Sequence, residues 1–106
     1  MFLSIIIATY NRLASLDLLL SSIAAHFVPS IVDHEIIVAN NAREPGVAIR
    51  IDELVQKFQR DCGTRFRLVR EPKAGKCRAQ YAAIGVARGE ILAFFDDDIV
   101  VTPSWL

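Results

Sequence analysis

Three short apolar runs, Leu3 to Ala8, Ile36 to Ala39 and Ile91 to Phe95, and a weaker one through Phe66, Leu68 and Val69, each lead into a polar tip, and helical patterns stand between them. That alternation limits the fold more than any other feature of the chain. Strands joined by helices need right-handed crossovers, and crossovers of this kind make the sheet parallel. The expected class is α/β, an open parallel sheet with helices on both faces, Rossmann-like.

The helices show as periodic apolar positions. Leu13, Leu16, Leu20, Ile23 and Phe27 recur at steps of three and four, which puts them on one helical face, and Pro29 ends the pattern. After Pro45-Gly46, the residues Val47, Ile51, Leu54, Val55 and Phe58 repeat it. The third helix is alanine-rich, through Ala79, Ala83, Ile84 and Ala87, with Gly89 expected as a cap just past its end. Thr102-Pro103 reads as the cap and first residue of another helix.

At 106 residues the chain is about one domain. It is 53% hydrophobic with a formal net charge of zero, which excludes disorder and gives no sign of a surface for nucleic acid. No apolar run approaches the roughly 20 residues of a membrane-spanning helix, and the first residues lack a basic start and a cleavage site. A soluble, cytoplasmic protein without a transmembrane segment is expected. Cys62 and Cys77 match no zinc or redox spacing and are expected to be free thiols without function, of the buried, apolar kind.

In open parallel sheets ligands bind beyond the carboxyl ends of the strands, where the polar tips lie. Asp96-Asp97-Asp98 is the strongest signal. Adjacent carboxylates repel unless a cation or hydrogen-bond donors offset them, and hard oxygen ligands suit Mg²⁺ or Mn²⁺ completed by phosphate and water. The simpler reading is a solvated acidic turn that caps the next helix. Thr9, Tyr10 and Asn11 offer hydroxyls, an amide and an aromatic face for a base and ribose, although Thr and Asn here are equally good helix caps. Asn40 and Asn41 can donate to and accept from a pyrimidine edge, and are also ordinary turn formers. Gly75-Lys76-Cys77-Arg78 opens the third helix, where backbone N–H groups and two cations suit a phosphate; a solvated basic turn would look the same. Convergence of all these tips on one sheet edge favours a nucleotide-diphosphate-metal site.

The run Ser4-Ile5-Ile6-Ile7-Ala8-Thr9-Tyr10-Asn11-Arg12 resembles the opening strand of family 2 glycosyltransferases of the GT-A fold. The resemblance continues through Glu35 to Asn41, Gly75 to Arg78, Ala87 to Asp98 and Pro103 to Leu106. It implies a GT-A type half domain with strand order 3-2-1-4. Residues 1–106 would be the N-terminal nucleotide-diphosphate-sugar-binding part, truncated before the acceptor-binding part. Thr9 and Tyr10 would border the base, and Lys76 or Arg78 would lie near the base or phosphate. Asp96 to Asp98 would form the DXD motif, with Asp96 and Asp98 on the metal, Mg²⁺ or Mn²⁺, and Asp98 as its direct ligand.

The implied activity is inverting transfer from a nucleotide-diphosphate sugar, a UDP-sugar first among them, to an acceptor hydroxyl of a sugar or lipid-linked glycan. No catalytic residue is assigned within the chain, because the family's general base lies well past the metal motif, beyond Leu106. The chain departs from the family at Asn40 and Asn41, where one position is usually an aspartate that accepts the uracil N3 hydrogen, and at Gln80-Tyr81, where many members have Arg-Asn. A fourth strand without later neighbours would also keep an open edge, from which a homo-oligomer is expected. The rival classes are a non-catalytic nucleotide-binding module and a haloacid-dehalogenase-like phosphatase using Asp96 and Asp98. A dinucleotide-binding domain is disfavoured, since the first strand tip has no glycine-rich turn.

Overall fold

A run of β-branched residues loses little by being extended and gains by being covered on both sides, and the first strand shows the result. Ile5, Ile6 and Ile7 are completely buried at its centre. The computed structural model describes residues 2–26, 33–63 and 65–99. Its elements are β1 (Phe2–Thr9), α1 (Leu13–His26), β2 (Asp33–Asn40), α2 (Pro45–Cys62), β3 (Phe66–Arg70), α3 (Lys76–Val86) and β4 (Ile91–Asp96). The sheet runs in the order β3-β2-β1-β4, parallel throughout, as expected.

Alternation along the strands divides the core in two. Ile5 and Ile7 of β1 join Ile36 and Val38 of β2 on one face, where Leu16, Leu19, Leu20 and Ile23 of α1 and Ile51, Val55 and Phe58 of α2 cover them. Each fully buried aliphatic side chain of this kind contributes about 1.5–3 kcal/mol. On the other face Ile6, Ile37 and Ala39 meet Ala79 and Ala83 of α3, whose small side chains let the helix lie close to the sheet. Phe58 and Phe66 stack with ring centroids 5.3 Å apart, joining α2 to β3.

Several details correct the sequence reading. Ile84 is 41% exposed, because the core stripe of α3 follows the steps of four from Ala79 to Ala83 and Ile84 stands one residue round the helix. Leu19, absent from the expected α1 face, is fully buried. The run Ile91 to Phe95 is apolar without being a buried strand: β4 pairs only with β1 among the described residues, and Ile91, Leu92 and Phe94 are exposed while Phe95 alone is buried. Both cysteines are free, as expected, but exposed and not buried. They sit at helix ends, Cys62 closing α2 and Cys77 in the first turn of α3.

Gly89 is not a helix cap. α3 ends at Val86, with Ala87 as its extended C-cap donating its N–H to the Ile84 carbonyl. Gly89 instead crosses β1 so closely that a Cβ would lie 2.5 Å from the Ser4 nitrogen and Oγ. Phe27, Pro29 and the segment Thr102 to Leu106, to which helix boundaries and part of the resemblance were assigned, lie outside the described residues. No helix among the described residues is long and apolar enough to cross a membrane.

Candidate functional site

In a parallel sheet all strands end on the same side, and pairing of Ala8 with Asp96 and of Thr9 with Asn40 brings the tips of β4, β1 and β2 level. Between them opens a cleft of about 320 Å³. β1 supplies Ala8, Thr9 and Tyr10 to its wall, followed by Arg12; β2 leads to Asn41, α3 begins at Lys76, and β4 ends in Asp96, Asp97 and Asp98.

Charges of opposite sign face each other here. Lys76 Nζ donates to Asp96 Oδ1 at 2.7 Å, and Arg12 Nη1 to Asp98 Oδ2 at 3.2 Å, with Asp97 Oδ1 3.9 Å away. The Lys76 hydrogen bond and charge hold the Asp96 carboxyl below its ordinary value, and Asp96 in turn raises the Lys76 ammonium. Three carboxylates against these two cations leave one negative charge unbalanced. Asp97 is the most enclosed, its side chain 12% exposed against 60% for Asp96 and 52% for Asp98.

These oxygens are donors of the hard kind that Mg²⁺ or Mn²⁺ takes. Among the described residues no three ligating side chains converge on one point. A cation of this kind can draw one or two ligands from protein and the others from phosphate and water. Thr9 adds a polar atom in need of a partner: its Oγ1 is buried at the cleft and makes no hydrogen bond.

The two asparagines have separate tasks. Asn41 Nδ2 donates to the carbonyls of Glu71 and Lys73, each at 2.8 Å, and its Oδ1 accepts the Gly75 N–H at 3.1 Å. One side chain thus shapes the loop that delivers the start of α3 to the cleft. Gly75, at φ 136°, takes a backbone conformation there that other residues rarely adopt. Asn40 turns to α2, donating to the Ala48 carbonyl and Asp52 Oδ1 while accepting the Ala42 N–H.

The cleft thus gathers Thr9, Tyr10, Asn41, Lys76 and Asp96 to Asp98 from the sequence-derived set. Asn40, Asn11 and Arg78 are not in its wall; Asn11 Oδ1 accepts the Arg43 N–H, and Arg78 lies alongside Gly75. Arg12 was missed as a site residue. Its signal was available, since a cation just past β1 must face the tip of whichever strand lies beside β1.

The model of the family described as Glycosyl transferase family 2 matches residues 4–106. The chain belongs to that family. Membership displaces the phosphatase and dinucleotide-binding alternatives. No curated protein matches in sequence. Among solved structures, the chain is similar to residues 1–349 of S. aureus TarS, with TM-score 0.81 and 21% identity over 99% of this chain and 30% of that one. A second TarS structure from S. aureus gives TM-score 0.75 and 23% identity over 92% of this chain and 17% of that one. The mannosyltransferase PcManGT from Pyrobaculum calidifontis, solved with GDP-Man and Mn²⁺, gives TM-score 0.74 and 24% identity over 92% of this chain and 28% of that one. The family 2 chain described here therefore spans less than a third of each of these chains, and at these identities the likeness establishes a shared fold.

Proposed function

We propose that this chain is the donor-binding part of a glycosyltransferase and holds a nucleotide-diphosphate sugar together with a divalent cation, Mg²⁺ or Mn²⁺. The observation that carries this reading is the meeting of Asp96, Asp97 and Asp98 with Lys76 and Arg12 across one cleft at the carboxyl ends of the strands. Carboxylates alone would repel a diphosphate and cations alone would leave no place for a metal. The mixture suits both. That PcManGT was solved with GDP-Man and Mn²⁺ supports the assignment.

Asp96 and Asp98 would hold the cation, which supplies charge neutralisation for the diphosphate when bound. Lys76 and Arg12 would take phosphate oxygens in exchange for their present carboxylate partners. Thr9 Oγ1 and the Tyr10 ring would border the ribose and base. Asn41 Oδ1, with one hydrogen bond accepted from Gly75, keeps acceptor capacity for a base N–H. Uracil and guanine each carry such an N–H, so this ground admits UDP and GDP alike, and the family resemblance puts UDP first.

Transfer would proceed by attack of an acceptor hydroxyl on the anomeric carbon as the bond from that carbon to the phosphate oxygen breaks, inverting the centre. The hydroxyl proton needs a general base. We assign the base, and recognition of a sugar or lipid-linked acceptor, to parts of the enzyme outside residues 1–106; the chain spans 30% of TarS 1–349 and 28% of PcManGT. Saturation-transfer NMR with a mixture of UDP, GDP and CDP tests the donor site. Signal from one nucleotide that appears with Mn²⁺ or Mg²⁺ and vanishes with chelator is expected; equal signals from all three, indifferent to metal, would refute it.

A further inference from the structure

At the end of the sheet away from the cleft, four backbone groups of the α3–β4 connection are pinned by three side chains and one strand carbonyl. Glu35 Oε2 accepts the Arg88 N–H at 2.7 Å and the Ser4 hydroxyl at 2.7 Å, and Ser4 Oγ accepts the Gly89 N–H at 2.8 Å. Arg67 Nη1 reaches both Glu35 Oε1 and the Val86 carbonyl at 2.7 Å, and the Glu90 N–H donates to the Phe2 carbonyl at 2.9 Å. Ser4 is fully buried and Glu35 is 2% exposed. Gly89 permits the approach, because a Cβ there would collide with Ser4.

Pairing of β4 with β1 begins immediately after this point, at Leu3 with Ile91, and ends at Ala8 with Asp96. Among the described residues β1 is the only neighbour of β4, so within them its register rests on that one pairing and on what holds its start. A slip of one residue moves a strand by about 3.3 Å and turns every side chain to the opposite face. Such a slip would carry Asp96 away from Lys76.

We propose that Glu35, acting through Ser4 and the backbone of Arg88 and Gly89, is a positioning residue that sets the register of β4 and so places Asp96, Asp97 and Asp98 at the cleft. The consequence for ligand rests on the donor-site reading given above; the register claim does not. Burial tends to raise the Glu35 carboxyl, but the Arg88 N–H, the Ser4 hydroxyl and the Arg67 guanidinium together hold it below its ordinary value, so it is charged and able to accept all of these bonds at neutral pH.

Amide hydrogen exchange, resolved by NMR on this chain, tests the register claim in Ser4→Ala and Glu35→Ala, with Glu35→Gln as the conservative variant. Loss of a hydrogen bond to a buried charge should speed exchange across Ile91 to Asp96 by about tenfold or more, while the amides that join β1 to β2 change less. Glu35→Gln, which keeps one acceptor oxygen, should recover part of the protection. Titration of UDP and Mn²⁺ into the same variants should show affinity falling together with β4 protection. Wild-type exchange in β4, or acceleration of β1, β2 and β4 by one common factor, would overturn the proposal by making the network dispensable or merely a contribution to overall stability. Faster β4 exchange with unchanged affinity would overturn the link to the aspartates. If the unaltered chain bound no nucleotide, the donor-site reading would fail while the exchange rates still decided the register.

Discussion

Lys76 Nζ lies 2.7 Å from Asp96 Oδ1, joining the first turn of α3 to the last residue of β4 across the mouth of the cleft. Lysine and aspartate hold each other there in their charged forms, the aspartate below its ordinary value and the lysine above. Neither is buried, so the pair adds little to stability; its value lies in keeping a cation and a carboxylate ready at one place.

Replacement of Lys76 by Met should let the Asp96 carboxyl rise toward the ordinary 3.8, a change that carbon-detected NMR titration reads directly. The same variant should bind a nucleoside diphosphate about tenfold more weakly, the effect of one lost charge-assisted hydrogen bond. An unmoved Asp96 titration would mean that the two side chains do not meet in solution.

Gly89→Ala places a methyl group 2.5 Å from the Ser4 nitrogen and Oγ. Overpacking of this kind should cost about 1–3 kcal/mol, seen as a lower urea midpoint. Gly85→Ala in α3, where a Cβ meets nothing within 4 Å, should instead raise the midpoint slightly, since alanine favours a helix.

Asn41→Asp tests the loop before α3. The substitution keeps the size of the side chain, but it removes both donors to the Glu71 and Lys73 carbonyls and sets a negative charge beside them. Two lost hydrogen bonds at about 1 kcal/mol each predict a loss of roughly 2 kcal/mol or more in denaturant unfolding. An unchanged midpoint would show that the loop is not held by this residue.

Glu35 makes stability depend on pH. Its folded carboxyl titrates below the ordinary 4.5, so its contribution is fully present above that value and is lost as pH falls from it through the folded value. Urea midpoints measured from pH 7 down to about pH 3 should therefore decline, and Glu35→Gln should flatten part of the decline while lowering the midpoint at pH 7. Parallel curves for the two proteins would contradict this.

The alternation of strand and helix, and the gathering of polar tips on one edge, were legible because both follow from local pattern and from the parallel geometry that the pattern imposes. The asparagines illustrate a finer limit: turn formation and ligand recognition ask for the same amide, and only the contacts of Asn40 with Asp52 and of Asn41 with Glu71, Lys73 and Gly75 show how these amides are used. Arg12 and Asp98 are 86 positions apart, and Ser4 and Glu35 31 apart, so these pairs depend on which strands are neighbours. Gly89 read as a cap because a glycine needed for close approach carries the same signature as one needed for a left-handed turn. Ile91, Leu92 and Phe94 stand in an apolar run and are nevertheless exposed, because apolarity reports a need for cover and not its presence within the described residues.

The central claim is that the aspartates and cations of the cleft bind a nucleoside diphosphate with a metal. Calorimetric titration of UDP and of GDP into this chain, with Mn²⁺ and with chelator, and again for Asp98→Ala, tests it most directly. Binding of one nucleotide that requires Mn²⁺ and is abolished by the substitution is the predicted result. Binding indifferent to chelator and to Asp98→Ala, or no binding of either nucleotide, would contradict the account.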